Sequence, residues 1–108
     1  MAREFRRGDV WIVDLGPVAK IRPAVVVSIR FEDQDRALIT LIPHTTSVRG
    51  TRFEVVSQAR FLKRGAFDAQ NPISIPPPHL VRRLGRIHPD ELTAVEAALK
   101  HWLGLNGN

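Results

Sequence analysis

Short apolar runs separated by polar or glycine- and proline-containing stretches divide the chain into pieces of strand length. The first run, Gly8 to Asp14, carries apolar side chains on both faces of an extended chain, Trp11 on one and Ile12 on the other. The second run, Arg22 to Ser28, contains three consecutive valines. These β-branched residues favour an extended backbone, and their unbroken run is typical of a strand covered on both faces. Only a short break separates the two runs, so we expect adjacent antiparallel strands.

The middle of the chain predicts two further strands, over residues 37–43 and 53–56. Proline cannot donate a backbone hydrogen bond, so we expect Pro43 to end the third strand. The polar segment 57–64 should cover Phe61 and Leu62, with both side chains packed beneath it.

Residues 65–75 predict a fifth strand, kinked at Asn71-Pro72. Three consecutive prolines at 76–78 cannot continue a central strand and mark a sharp connection. A helical turn is expected within 79–83, followed by a short strand over 84–87.

One amphipathic helix is predicted at the C-terminal end. Pro89 suits the first helical position, acidic residues follow it at the positive end of the helix dipole, and Gly104 stands where a C-terminal cap belongs. Apolar residues recur at helical spacing, which predicts one packed face: Leu92, Val95, Leu99, Trp102 and Leu103.

These elements predict a mostly β fold with one α-helix, built as one domain over residues 1–108. Short strands with close turns and a terminal helix favour a small, strongly bent antiparallel β-sheet. We expect an SH3-like barrel capped by the C-terminal amphipathic helix.

Composition narrows the function. The chain has 108 residues, no cysteine, and 16 basic against 11 acidic residues, and most of the basic residues are arginines. A net charge of +5 carried by arginine favours nucleic acid or an acidic protein as partner. The start of the chain lacks an apolar core, and no run reaches the length of a membrane span, so we expect a cytoplasmic protein without signal peptide or membrane anchor.

Several kinds of site are disfavoured. The four histidines lack paired metal-ligand spacing, no glycine-rich phosphate loop opens a helix, and no serine stands in a nucleophile elbow. We therefore expect neither a metal nor another cofactor.

Arg22 is the first candidate for chemistry, because Pro23 favours a place for it at the rim of the buried strand. It could pair with a carboxylate such as Asp14, or it could meet a phosphate. With Thr, Asp and Gln residues at other strand ends, the set also suits metal-free RNA cleavage. That reaction needs a base for the ribose 2′-OH and donors around the phosphorane.

Three segments in series carry a resemblance: residues 8–15 (GDVWIVDL), residues 22–28 (RPAVVVS), and residues 43–47 (PHTTS) leading to 53–55 (FEV). Their order and spacing resemble the MazF/PemK/Kid family of toxin endoribonucleases. The similarity continues through residues 82–87 and the terminal helix, so it covers nearly the whole chain.

The resemblance implies a CcdB/PemK-like barrel that forms a homodimer, cuts single-stranded RNA without metal to leave a 2′,3′-cyclic phosphate and a 5′-OH, and is neutralised by an acidic antitoxin. It assigns the active site to Arg22 and Thr45. For Thr45 the alternative is a hydroxyl that caps the strand end, and Thr46 is the competing position because one residue of slip reverses the face. Around these residues, RNA contacts are expected from Lys20, Thr46, Ser47, Arg49 and Gln70.

Two stretches depart from the family's pattern. The first loop is shortened to residues 16–21, and Gln70-Asn71 stands where the fifth strand often has Asp-Gln. Asp68 lies on the same strand face as Gln70, so its carboxylate could act as the base, or it could form an ion pair with an arginine. His44 ranks below it because alternation turns its ring away from Thr45.

Other readings stay open at this point. The same fold could carry a non-catalytic toxin that inhibits DNA gyrase, like CcdB, or a degenerate RNA-binding member of the family. A module that binds acidic peptides would explain the charge but not the motif series.

Overall fold

The computed structural model describes residues 4–105, with the backbone alone at residues 18 and 19. In chain order the elements of this range are β1 (Asp9–Asp14), α1 (Gly16–Ala19), β2 (Ile21–Val26), β3 (Ile39–Thr45), β4 (Glu54–Val56), β5 (Ala66–Asp68), β6 (Ile73–Ile75), a 3-10 turn (Pro77–His79), β7 (Leu80–Arg86) and α2 (Pro89–Leu103).

The strands form one antiparallel sheet in the order β4-β5-β3-β2-β1-β7, and β6 pairs with β3 beside this path. The predicted pairing of the first two strands is confirmed, with Val10 opposite Val25. The predicted fold class is also confirmed, since the protein is mostly antiparallel β-sheet with one long C-terminal helix.

Two apolar clusters cover the two faces of the central strands. Successive residues of a strand point to opposite faces, so Val26 joins the cluster around Trp11 while Val25 joins the cluster under the C-terminal helix with Val95. Both valines are fully buried. Burial of one such side chain stabilises the fold by about 1.5–3 kcal/mol, so this strand is a main source of stability.

The prediction that Pro43 ends the third strand is wrong. β3 continues through His44 to Thr45, and Pro43 lies opposite Ala24 of β2. On its other edge β3 pairs with β6 as far as Leu41 and with β5 from His44 onward. Pro43 is tolerated because it falls between these two pairings, where no ladder partner stands on that edge.

The single kinked strand predicted over 65–75 is two strands. β5 pairs with the end of β3 and β6 pairs with its beginning, so the chain must turn between them to reach both halves of the same strand. Asp68 organises that turn: its carbonyl accepts a hydrogen bond from the Asn71 N–H (3.2 Å) and its carboxylate accepts one from the Gln70 N–H (3.1 Å).

The helical turn expected within 79–83 lies earlier, at Pro77–His79. β7 then runs from Leu80 to Arg86 and is longer than predicted, because Arg82 and Arg83 pair with Ile12 and Trp11 of β1. This register brings two arginines onto the edge strand next to β1.

The predicted C-terminal helix is confirmed from Pro89 to Leu103. His88 caps its start by accepting the Asp90 N–H, and Gly104 ends it in the left-handed conformation at φ 71°. The predicted apolar face is buried only in part, since Trp102 is 44% exposed. No helix in the part of the chain that the structure describes is both long and apolar enough to pass through a bilayer.

Candidate active site

Two cavities meet at the C-terminal end of β3. The first, of about 340 Å³, is lined by Arg22, Pro43, Thr45, Ser47, Arg49, Thr51, Glu54, Asp68, Gln70 and Asn71. The second, of about 480 Å³, is lined by Ile12, Lys20, Ile21, Arg22, Pro23, His44, Thr45, Thr46, Ser47, Phe61, Leu62, Lys63, Arg82 and Leu84. Arg22, Thr45 and Ser47 border both cavities. Every site residue predicted from the sequence lines at least one of the two.

Arg22 has no ionic partner among the described residues. It is the second residue of β2 and lies opposite Val13, near the end of the strand as predicted. Its Nε is buried and has no hydrogen-bond partner. Asp14, the partner considered from sequence, instead accepts the Gly16 N–H (2.9 Å). A buried donor without a hydrogen-bond partner costs about 1–3 kcal/mol. Because Arg22 also lines both cavities, its guanidinium is suited to an acceptor from outside the chain.

Thr45 ends β3 at the boundary between the two cavities. Its Oγ1 accepts the Ser47 N–H (3.0 Å), as expected for a hydroxyl that caps a strand end. A hydroxyl that accepts one bond still has its own proton to donate, so this contact leaves Thr45 a donor toward the cavity. Thr46 lines the second cavity but not the first.

Two carboxylates on neighbouring strands line the first cavity. Glu54 of β4 lies directly across from Asp68 of β5 in the antiparallel register. Asp68 forms no ion pair within residues 4–105, so the predicted alternative of an arginine partner has no support. Its Oδ1 accepts the Gln70 N–H, and no described residue donates a hydrogen bond to its Oδ2.

Glu54 anchors the loop that carries Arg49. Its carboxylate accepts the backbone N–H of Arg49 (3.1 and 3.2 Å) and of Thr51 (2.8 Å). These hydrogen bonds, the one from Arg49 first, lower the pKa of Glu54 below its usual 4.5. Glu54 is therefore ionised at neutral pH, and its role in the site is to fix the position of residues 49–51.

His44 supports β3 beneath the site. As expected from alternation, its ring points away from Thr45: Nε2 lies 2.8 Å from Ser57 Oγ, and the ring packs edge-on against Phe67. Burial lowers the pKa of His44 from its usual 6.5, so the imidazole is neutral at pH 7.

Lys20 reaches the second cavity from a strained backbone. It follows the single helical turn α1 at φ 63° and ψ −166°, a region occupied almost only by glycine. Its N–H donates to Gly16 O (2.7 Å) and its carbonyl accepts from the Leu15 N–H (3.0 Å), which closes the shortened loop tightly.

Several lining residues were not anticipated from sequence. Glu54 stands in the motif that follows Thr45, but only the register with β5 shows that it faces Asp68. Phe61 was expected to be covered, yet it is 39% exposed, and only Leu62 packs against the core. Within residues 4–105 no three His, Asp or Glu side chains come together as a set of metal ligands.

Comparison with known proteins adds a family and a fold. The family model described as PemK-like, MazF-like toxin of type II toxin-antitoxin system matches residues 6–103. An endoribonuclease solved in complex with its cognate antitoxin, from a mycobacterial species, is similar with a TM-score of 0.82 and 25% identity over 94% of this chain and 97% of that one. MazF from Deinococcus radiodurans is similar with a TM-score of 0.81 and 24% identity over 94% and 98% of the two chains. A MazE-MazF structure from the same organism gives 0.78 and 23% over 94% and 97%.

Proposed function

Because the chain belongs to the PemK-like, MazF-like toxin family of type II toxin-antitoxin systems, we propose that it is an endoribonuclease, an mRNA interferase that cuts single-stranded RNA at short sequences without a metal ion. The observation that carries this proposal is the guanidinium of Arg22, which has no ion-pair partner among the described residues and lines the same cavity as Thr45 and Asp68. The similar mycobacterial structure is named an endoribonuclease, which agrees with it.

The proposed reaction uses the substrate's own nucleophile. The ribose 2′-OH gives its proton to Asp68 and attacks the adjacent phosphorus, and the bond from phosphorus to the 5′ oxygen breaks. Arg22 and Thr45 donate hydrogen bonds to the non-bridging oxygens, where negative charge develops in the phosphorane. The 5′ oxygen takes a proton from solvent at the open side of the cavity. The products are a 2′,3′-cyclic phosphate and a 5′-OH.

Five residues are proposed to hold the RNA around that centre. Arg49, Gln70 and Ser47 border the first cavity, while Lys20 and Thr46 border the second. Single-stranded RNA can thread through such a boundary with one nucleotide on each side of the scissile phosphate. We also propose that the protein acts in the cytoplasm.

The partner proposed for neutralisation is an acidic antitoxin. The chain carries a net charge of +5, and solved relatives include an endoribonuclease with its cognate antitoxin and a MazE-MazF structure. An acidic segment that pairs with Arg22 would remove the unpaired cation that the reaction needs. A homodimer is also proposed, and the mass of the purified protein in solution tests it.

The test of the activity compares Arg22→Ala with Arg30→Ala, which removes an exposed arginine outside both cavities. In EDTA, wild type and Arg30→Ala should cleave a mixed RNA at the same sites, while Arg22→Ala should be slower by about 100-fold or more, as expected for loss of a transition-state donor. Intact RNA with the wild type, or equal cleavage by Arg22→Ala, contradicts the proposal. Inhibition of DNA gyrase with intact RNA would identify a CcdB-like activity instead.

A further inference from the structure

The second cavity differs from the first in charge. Its lining contains four cationic side chains, those of Lys20, Arg22, Lys63 and Arg82. None of the described Asp or Glu residues lines it. The first cavity instead combines Glu54 and Asp68 with two arginines. A lining with one sign of charge favours an anionic ligand, and the shared border at Arg22 makes the second cavity continuous with the proposed scissile site.

The second cavity also has an aromatic wall. One edge of the Phe61 ring lies against Gly85 of β7, so closely that a Cβ at position 85 would be 2.7 Å from the ring carbon Cε2. The backbone therefore supports the ring from one side, while 39% of the residue stays exposed. Ile12 and Leu84 add apolar surface next to it.

We propose that the second cavity is a nucleotide subsite, which binds the nucleotide next to the scissile phosphate. The base stacks on Phe61, and Lys63 and Arg82 contact the neighbouring phosphate. Aromatic rings combined with cations along a groove are the usual means of binding single-stranded nucleic acid. The inference rests on the proposed function and extends it to three residues outside the catalytic set.

Abasic substrates test the stacking contact. In a defined RNA with a mapped cleavage site, one nucleotide beside the scissile bond is replaced by an abasic unit and kcat/KM is measured. We expect a loss of about 5- to 150-fold for the wild type at one flanking position, the range for a base stacked on an aromatic side chain. In Phe61→Leu, which keeps the residue apolar, the same abasic substrate should be cut nearly as fast as the intact RNA. Trp102→Leu changes another half-exposed aromatic residue, one that lines neither cavity, and should keep the full wild-type effect.

Gly85→Ala tests the same wall without changing the ring. The added Cβ should displace Phe61 and reproduce the abasic phenotype of Phe61→Leu. Lys63→Ala should lower the salt dependence of binding by about 0.7 in the slope of log K against log salt, as for one phosphate contact on a single strand. Lys100→Ala, on the exposed side of α2, is the matched control and should leave the slope unchanged.

The outcomes separate the possible occupants. An undiminished abasic effect in Phe61→Leu overturns the subsite while the proposed nuclease stands. If Phe61→Leu and Lys63→Ala cleave RNA like the wild type but are no longer inhibited by the antitoxin, the cavity binds an acidic peptide. If these variants instead differ from the wild type in their mass in solution, the cavity binds a second copy of the chain. Either outcome overturns the RNA subsite. No cleavage by the wild type overturns the proposed function and the subsite together.

Discussion

Arg22 is held in place by its strand rather than by a partner side chain. Its neighbours in β2 are paired with β1, and its Nε is buried without an acceptor. A buried donor without a partner weakens the fold by about 1–3 kcal/mol. Arg22 also lines both cavities, so its guanidinium is placed to meet a phosphate there. Residues kept at such a cost are common at functional sites, where stability and activity oppose each other.

Arg22→Met should therefore raise stability while it removes activity. Methionine keeps much of the volume and takes away the buried donor, so the gain should be about 1 kcal/mol, or a rise in Tm of about 4–8 °C for a domain of this size. Thermal unfolding measured beside RNA cleavage checks both effects. Arg30→Met, at an exposed position, should change neither. A lower Tm for Arg22→Met would indicate that the arginine is structural after all.

Glu54 is expected to act through Arg49. Glu54→Gln keeps an oxygen that can accept a hydrogen bond but removes the charge that strengthens both contacts to residues 49–51. We predict a KM for RNA about 3- to 10-fold higher with kcat nearly unchanged, since charge-assisted hydrogen bonds are worth about 1 kcal/mol more than neutral ones. Asp33→Asn, in an exposed loop, is the control. A fall in kcat with KM unchanged would place Glu54 in the chemical step.

At the scale of elements, the connection from β1 to β2 combines strain with positive charge. Lys20 adopts a glycine conformation at the end of α1 and lines the second cavity. Non-glycine residues held there cost about 1–3 kcal/mol and persist where they serve a function. The shortened loop thus still brings a cation to the cavity.

Lys20→Gly separates the two effects. Glycine relieves the strain, so we expect the Tm to rise by several degrees, and loss of the cation should weaken RNA binding by less than about tenfold. Lys20→Ala removes the same charge without relieving the strain, and its Tm should not rise. Equal Tm values for the two variants would contradict the strained backbone.

The approach of β5 to β3 depends on Gly65. A Cβ at this position would lie 2.1 Å from Thr45 O and 2.7 Å from the His44 ring, so an added methyl group must push the end of β3. Gly65→Ala should destabilise the protein by about 1–3 kcal/mol and, because Thr45 moves, reduce kcat more than binding. Denaturant unfolding and single-turnover cleavage measure the two losses. Gly50→Ala is the control for the added methyl group, which would meet no atoms within 4 Å, so kcat should be unchanged. Unlike Gly65, Gly50 has a positive φ of 75°, so this control also strains the backbone. Full activity in folded Gly65→Ala would show that the site tolerates a shift of β3.

The local pattern predicted most elements and few of their partners. The valine run and the capped helix are local signals, and both elements form as predicted. The split of 65–75 into two strands depends on β3, which no residue in that segment reports. Arg22 and Thr45 are predicted from motifs alone, whereas only the register of β4 with β5 shows that Glu54 faces Asp68.

At the scale of the whole molecule, acid should weaken the fold through His44. Burial lowers its pKa in the folded state, so the unfolded chain binds more protons near pH 6. Stability is then full above the unfolded pKa of 6.5 and decreases as pH falls below it. Denaturant midpoints from pH 8 to 5 measure the slope, which should be smaller in His44→Gln than in the exposed control His101→Gln. Equal slopes would contradict the burial of a neutral imidazole.

The charge of the whole molecule and the two cavities fit one substrate. The excess of arginine attracts an anion, and the proposed reaction takes Arg22 and Thr45 of the first cavity as donors and Asp68 as the base. The second cavity adds cations and an aromatic wall. RNA is the anion whose 2′-OH makes such a metal-free set sufficient for cleavage.

The chemistry of the cut ends is the most direct test of that account. A defined RNA is cleaved by the wild type in EDTA, the fragments are weighed by mass spectrometry, and the reaction is repeated with one 2′-deoxynucleotide at the mapped position. We predict a 2′,3′-cyclic phosphate, a 5′-OH, and no cleavage of the 2′-deoxy substrate. Ends with a 5′-phosphate and a 3′-OH, or cleavage of the 2′-deoxy substrate, would contradict it.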